Sequence, residues 1–455
     1  MKSLGLYLFI GAGLASGATI GIIDSGLDTM HVKLRPQIWS NSFEISYNGL
    51  DDDRNGYIDD INGWNFAEGN NRLVEMKYLS TYTADVRKFF DIQLKGLNGN
   101  MDQNDQDWLT KMFNDNDFMT NLAKFGNFAH GTHVAGISAG RAAENRILGV
   151  KLLPTESPLS MAIQEVKKLA GDHIAADKRD WLVKQGISVL AGAQSTLFVS
   201  TSSYIGKLGG DVVNCSFGLN FDAAKAAMTP IVALVYGSDV PEEVIDGYAV
   251  YFVNEVVSKG SALATDNKKT LFVFAAGNDG KNNSAFPIAP ANIRAANTMT
   301  VAAAYADGTI AKFSNYSVDL VDVAAPGVGI QSTIPGGYTI SMSGTSQAAP
   351  FVTGVAGGVK SKNSRLKPSD IRAIIMGTVD KMPSLIGKVK SGGMVNTERA
   401  YQAAILSKTV SIEEAIAMAH QIVTHSEIPS FAQDQNFSPY VLPLPSSLNP
   451  YAIPY

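Results

Sequence analysis

Apolar, largely β-branched runs recur along the chain and never alternate with polar residues: TIGIIDSG (19–26), ILGVKLLP (147–154), DVVNCSFG (211–218), TLFVFAAGN (270–278) and TMTVAAA (298–304). A strand with one wet face alternates; a continuous run is buried on both faces, as in a parallel sheet covered by helices. Helical stretches lie between the runs, for example MAIQEVKKLAGDHIAADKRDWLVKQ (161–185). Strand–helix–strand repetition requires right-handed crossovers. The predicted fold class is therefore α/β: a doubly wound, mainly parallel β-sheet with helices on both faces and helical insertions. In such sheets ligands collect at the carboxyl ends of the strands, so polar residues there carry extra weight.

The composition agrees with a large core. Only 17% of the 455 residues are charged, 45% are hydrophobic, and 42 glycines supply tight turns. A net charge of −5 gives no electrostatic reason to expect nucleic acid or an anionic membrane as partner. The single cysteine, Cys215, excludes an intrachain disulfide and reads as a small buried hydrophobe.

The start, MKSLGLYLFIGAGLASGA, has a lysine, an apolar stretch and small residues, the pattern of a secretory signal over 1–18. The alternative is an anchor running on to Ile23. The main domain is expected over 19–405, with insertions at about 71–125, 160–205 and 220–265 that are either lids and specificity elements or surface padding. Residues 406–455 read as a helix near 411–424 followed by an extended, weakly ordered tail rich in proline.

Four polar residues stand at strand ends or helix starts. Asp24 closes GIIDSG, His130 opens HGTHVAG, Asn278 follows FVFAAG, and Ser346 precedes QAAPFVTGVAGGV. Each on its own is equally a turn or capping residue. If a helix starts near Gly131, His130 sits at its N-terminal end; with His133 it is either a general base beside a packing residue or half of a metal pair. A serine at a helix start has a free backbone N–H and a favourable helix dipole for an oxyanion.

Together, GIIDSG, HGTHVAG, NCSFG, AAGN, VDVAAPG and SGTSQAAP, in this order, resemble the subtilisin-like serine proteases, the subtilases. The resemblance covers most of 19–405. It implies a subtilisin-like fold and a secreted or periplasmic serine endopeptidase acting on polypeptides. Asp24 would orient His130, His130 would be general base and then acid, and Ser346 would be the nucleophile. Asn278 and the Ser346 N–H would form the oxyanion hole. The backbone of Ser216, Phe217 and Gly218 would pair with an extended substrate, and Ala275, Ala276 and Gly277 would wall a pocket open to an apolar side chain. No stable membrane span after signal removal, no nucleic acid and a monomer are expected.

DDDRNGYIDD (51–60) places Asp51, Asp53, Asn55, Tyr57 and Asp59 at alternating spacing around Gly56, a pattern suited to Ca²⁺. Asn62 stands where an EF-hand has its bidentate Glu, and a solvated acidic turn is the plainer reading. Subtilases carry a similar segment, which favours structural Ca²⁺. Two departures from the family stand out. Gln347 replaces the usual methionine after the nucleophile, and the Asp24 strand follows the N-terminal apolar stretch at once, leaving no room for a pro-segment within this sequence. Two other functions remain consistent with the residues: an idle binding protein on the same scaffold, or a metal-dependent hydrolase using His130, His133 and Asp24.

Overall fold

The computed structural model describes residues 17–154, 176–237, 239–424, 433–434 and 437–446. The apolar runs form β1 (Thr19–Asp24), β3 (Arg146–Lys151), β4 (Val212–Cys215), β5 (Leu271–Ala275) and β6 (Thr298–Ala304). With β2 (Gly63–Asn65), β7 (Val323–Pro326), β10 (Asp380–Lys381) and β11 (Gly393–Met394) they make a nine-stranded sheet ordered β10-β11-β7-β6-β5-β4-β1-β3-β2. Every pair is parallel except β10 with β11. A separate antiparallel hairpin joins β8 (Ile330–Ile334) and β9 (Tyr338–Met342). The chain leaves β1 for β2 and β3 on one side, then crosses to β4 on the other. That reversal opens a crevice at the carboxyl ends of β1 and β4.

The helices are α1 (Ala84–Leu97), α2 (Gln103–Phe113), α3 (Asn116–Ala139), α4 (Arg179–Lys207), α5 (Phe221–Tyr236), α6 (Glu242–Gly260) and α7 (Thr345–Lys362), with further helices including Ile412–Ile422 near the end. Adjacent residues of a strand point to opposite faces. Ile20 meets α7 at Gly357, and its neighbour Gly21 meets Ile205 of α4, so helices cover both faces as expected. The core helix α7 can lie this close because it is built of small residues. A Cβ at Gly354 would stand 2.4 Å from the Ser138 carbonyl oxygen of α3, and one at Gly357 would stand 2.8 Å from Ile20 Cδ1.

The 71–125 region is not padding. Phe89, Phe90, Leu109, Phe118 and Phe125 form a second hydrophobic cluster that also takes in Ile340 and Met342 of the hairpin. Its last helix is continuous with the histidine helix. The expected start near Gly131 is therefore corrected: α3 begins at Asn116, where Asp115 caps the Phe118 N–H at 3.0 Å. Buried Phe118, Leu122, Phe125 and Ala129 keep helical spacing right up to His130, which is why the helix does not break there. The 160–205 and 220–265 regions are largely α4, and α5 with α6; residues 155–175 and 238 lie outside the described residues, as do residues 1–16 of the signal expected over 1–18. No described helix is long and apolar enough to cross a membrane. Residues 437–446 run extended, and they pack onto the main body rather than away from it.

The glycines separate two effects. Gly357→Ala, which adds a methyl into contact with Ile20 and Asn145, should lower the melting temperature through overpacking of about 1–3 kcal/mol. Gly192→Ala in α4, with nothing among the described residues within 4 Å of its Cβ position, should raise stability by about 0.5–1 kcal/mol through the unfolded chain's entropy. Thermal melts of both variants check the opposite signs.

Candidate active site

Asp24 ends β1 and is buried. Its Oδ1 accepts from the Ser25 N–H at 2.7 Å and from His130 Nδ1–H at 2.7 Å. The carboxylate thus holds the proton on Nδ1 and leaves Nε2 as the basic nitrogen. The contact depends on Gly131: a Cβ there would lie 2.0 Å from the Gly26 carbonyl oxygen and 3.1 Å from Asp24 Cβ. Helix α3 is also pinned by the hairpin. Ser332 Oγ donates to the His133 carbonyl at 2.6 Å, and Thr333 Oγ1 to the Thr132 carbonyl at 2.8 Å.

Ser346 lies one residue into α7, after Gly344, whose φ of 154° no side-chain-bearing residue readily adopts. Its Oγ donates to the Ser216 carbonyl at 3.2 Å, and Ser216 Oγ donates back to the Ser346 carbonyl at 3.0 Å. Asn214 Nδ2 supports Ser216 Oγ from behind at 2.9 Å. His130, Asn278 and Ser346 line one small cleft with Gln347 and Met342.

Asn278 is oriented by a residue that motif reading passed over. Thr345 donates to Asn278 Oδ1 from its N–H at 2.9 Å and from its hydroxyl at 2.8 Å. The amide oxygen is thereby occupied and the NH₂ faces the cleft. The signal was present in SGTSQAAP, where a hydroxyl precedes the serine. Phe217 packs on Phe198 at 5.5 Å between ring centroids, and with Gly218, Leu152 and Leu153 it borders a second, apolar cavity. Leu152, Leu153 and Phe198 had no sequence signal beyond hydrophobicity. Ala275 and Ala276 are buried in the core, and Gly277 is packed against Asn315, so among the described residues none of the three borders either small cavity.

His133 is fully buried and donates from Nε2 to the Ile340 carbonyl at 3.1 Å, away from Asp24's carboxylate. Burial, helped by the nearby His130 charge, pushes its pKa down to about 3. Burial likewise pushes the Cys215 thiol well up, consistent with an inert packing residue.

In the acidic loop, Glu44, Asp51 and Asp53 bring carboxylate oxygens within 4.8 Å of one another. Burial raises Glu44's pKa, as do the charges of Asp60 and Asp53, and its Oε2 has no partner among the described residues. Glu44 carried no signal because it precedes the DDD run. Asp59 is not part of this group; its carboxylate accepts the Asn48 and Gly49 N–H groups at 3.1 and 2.9 Å, as that of Asp51 accepts the Asn55 and Gly56 N–H groups at 3.0 and 2.8 Å. Asn55 Oδ1 accepts the Tyr57 N–H at 2.8 Å. A buried carboxylate oxygen without a donor, beside two further carboxylates, fits a hard divalent cation.

A doubly wound α/β chain with an Asp–His pair, a helix-start Ser and an oriented Asn amide around one cleft has the constellation of a serine peptidase. Comparisons narrow the class. The model of the Subtilase family matches residues 15–402. Over 230 residues, 50% of this chain, the sequence is 31% identical to Subtilisin Savinase of Lederbergia lenta, covering 76% of that protein. Over 130 residues, 29% of this chain, it is 41% identical to Alkaline elastase YaB of Bacillus sp. (strain YaB), covering 32% of it. The chain thus spans about a third of the elastase's length and about three-quarters of Savinase's. Among solved structures it is similar to a lanthipeptide protease at 16% identity and a TM-score of 0.47, covering 84% of this chain and 86% of that one. The chain belongs to the subtilase family.

Two outcomes follow from this geometry. Thr345→Val, which removes the hydroxyl that donates to Asn278 Oδ1 and accepts the Gly277 N–H, should lower kcat at least tenfold with KM little changed, as loss of two hydrogen bonds of ~1–1.5 kcal/mol each implies; steady-state kinetics on a peptide ester reads it. For His133 the folded-state pKa lies below the ordinary 6.5, so the unfolded chain binds the proton first. Its contribution to stability is present above pH 6.5 and fades as pH falls towards 3. Urea melts of His133→Gln between pH 4 and 7 should show a shallower loss of stability on acidification than the parent chain.

Proposed function

We propose that this chain is a secreted serine endopeptidase that cleaves polypeptides through an Asp24–His130–Ser346 triad. The observation that carries the reading is the 2.7 Å Asp24–His130 contact in the cleft where Ser346 and Asn278 also meet. His130 Nε2 takes the proton of Ser346 Oγ once the hydroxyl turns from the Ser216 carbonyl. Oγ attacks the peptide carbonyl carbon, and the oxygen that becomes negative accepts from Asn278 Nδ2 and the Ser346 N–H. His130 then passes its proton to the leaving nitrogen, giving an acyl-enzyme that water clears by the same route. Ser216 to Gly218 offer backbone groups for an added substrate strand, and the apolar cavity beside Phe217 favours an apolar substrate side chain. Export fits the 1–18 segment and the family's known members.

The metal-hydrolase alternative loses support because His133 is aimed at the hairpin and Asp24 is engaged by His130. An idle scaffold is separated from an enzyme by a fluorophosphonate probe. Labelling should map to Ser346 and vanish in Ser346→Ala, with a loss of several orders of magnitude in His130→Ala; a chain that stays unlabelled both at full length and when ending at Asp434 overturns the reading.

Structural Ca²⁺ would be held by Glu44, Asp51 and Asp53, fixing the loop between the Asp24 and His130 segments and taking no part in bond making. Millimolar Ca²⁺ should raise the melting temperature, and chelator should lower it, by the linkage RT ln(1 + [Ca²⁺]/Kd). Asp51→Asn with Asp53→Asn should abolish the difference in calorimetry.

A further inference from the structure

The cleft has an occupant. We propose that the described C-terminal segment 437–446, FSPYVLPLPS, is a tethered inhibitor that must leave the cleft before a polypeptide can enter; the proposal rests on the peptidase reading above. Three contacts of the kind a substrate uses are taken. Asn278 Nδ2, the oriented amide, donates to the Leu442 carbonyl at 3.4 Å. The Gly218 N–H, on the strand-pairing segment, donates to the Pro445 carbonyl at 3.0 Å. Ser446 borders the apolar cavity formed by Phe217, Leu152 and Leu153, while Tyr440 and Leu442 border the cleft of His130 and Ser346. A substrate strand and this segment cannot hold these donors together.

The insertion at 71–125 holds the segment in place. Gln93 Oε1 of α1 accepts the Tyr440 N–H at 2.8 Å. The Tyr440 ring meets Phe89 and Phe113 at centroid distances of 5.7 and 5.4 Å. Gly126 of α3 leaves room for Leu442, and Gly96 of α1 for Phe437, whose ring would meet any Cβ there at 2.5 Å. Just upstream, the Asp434 N–H donates to the Leu97 carbonyl at 2.7 Å, and Gln433 Nε2 to the Val328 carbonyl at 2.9 Å. These anchors fix the start of the segment beside the cleft, so that docking is intramolecular. A short tether of this kind gives effective concentrations on the order of millimolar, enough to fill a site of weak intrinsic affinity. Pro439, Pro443 and Pro445 hold the segment extended before it docks, which reduces the entropy lost on binding.

The segment is also a poor substrate where it lies. The carbonyl facing Asn278 belongs to Leu442, and the next residue is Pro443, so the bond at risk is a tertiary amide. Its ring carbons crowd the nitrogen that His130 would have to protonate. Apolar and proline-rich as it is, the segment further marks an extended apolar peptide as the ligand class of this cleft.

The test compares the full chain, a chain ending at Asp434, and full-length Tyr440→Ala, each with a thermal melt to establish folding. Readouts are KM and kcat on an extended fluorogenic peptide, the rate of Ser346 labelling, intact mass, and binding of fluorescent FSPYVLPLPS to the chain ending at Asp434 carrying Ser346→Ala. Expected are a KM at least fivefold lower in the shortened chain with kcat unchanged, a smaller drop in Tyr440→Ala, an intact full-length mass, and competitive inhibition by the free peptide. Should the shortened chain not fold, Tyr440→Ala and the free peptide added to the full chain's Tyr440→Ala form decide. Equal KM in all forms with no peptide binding overturns the proposal, as does rapid removal of the segment by the enzyme itself. Peptide binding with no Ser346 labelling in any form upholds the docking and overturns the peptidase reading alone.

Discussion

Two ionisable side chains separated by 106 residues meet at 2.7 Å, and the rest of the molecule is arranged to make that meeting unavoidable. Asp24 is presented by a strand buried between two others, so its backbone cannot shift without disturbing β3 and β4. His130 is presented from the middle of a 24-residue helix clamped by the hairpin on one side and by Gly131 against Gly26 on the other. A hydrogen bond to a buried carboxylate is directional and short only if both partners are held this way. What it secures is a tautomer: the proton stays on Nδ1 and the lone pair is left on Nε2.

The same economy of placement governs Asn278 and Ser346. One threonine hydroxyl both accepts the Gly277 N–H at 3.1 Å and donates to Asn278 Oδ1 at 2.8 Å. The β5 turn is thereby tied to the first turn of α7, which fixes Asn278 relative to the start of the helix that carries Ser346. Gly344 permits the sharp entry into α7, and the alanines and glycines further along let that helix pass through the core. The string of small residues after Ser346 is therefore a positioning device as much as a packing one.

The sheet and the Asp, His, Asn and Ser positions were legible because parallel-strand burial and the motif order leave strong local marks. Less local features were not. The start of α3 could not be placed at Asn116 from HGTHVAG, since the decisive residues are the Asp115 cap and aromatic rings whose partners lie in α1 and the hairpin. Glu44 joins Asp51 and Asp53 only through loop folding, and the same folding leaves Asp59 out of the group, which no spacing rule records. Ala275 and Ala276 sit at the expected end of β5, but burial closes them off, because a strand end in a doubly wound sheet borders the core as well as the crevice.

The surplus residues make most sense taken together. A polar insertion with its own aromatic cluster and a proline-rich tail look like unrelated additions when read along the chain. In space, Phe89, Gln93 and Phe113 form one wall, Asn278 and Gly218 the other, and Tyr440 to Pro445 lie between. Without the insertion Tyr440 would lose the Phe89 and Phe113 rings and the Gln93 acceptor, and without the tail Phe89 would lose one of the rings that cover it. The two additions thus share an aromatic contact and a backbone hydrogen bond beside the cleft, which ties them together in space although they stand far apart along the chain.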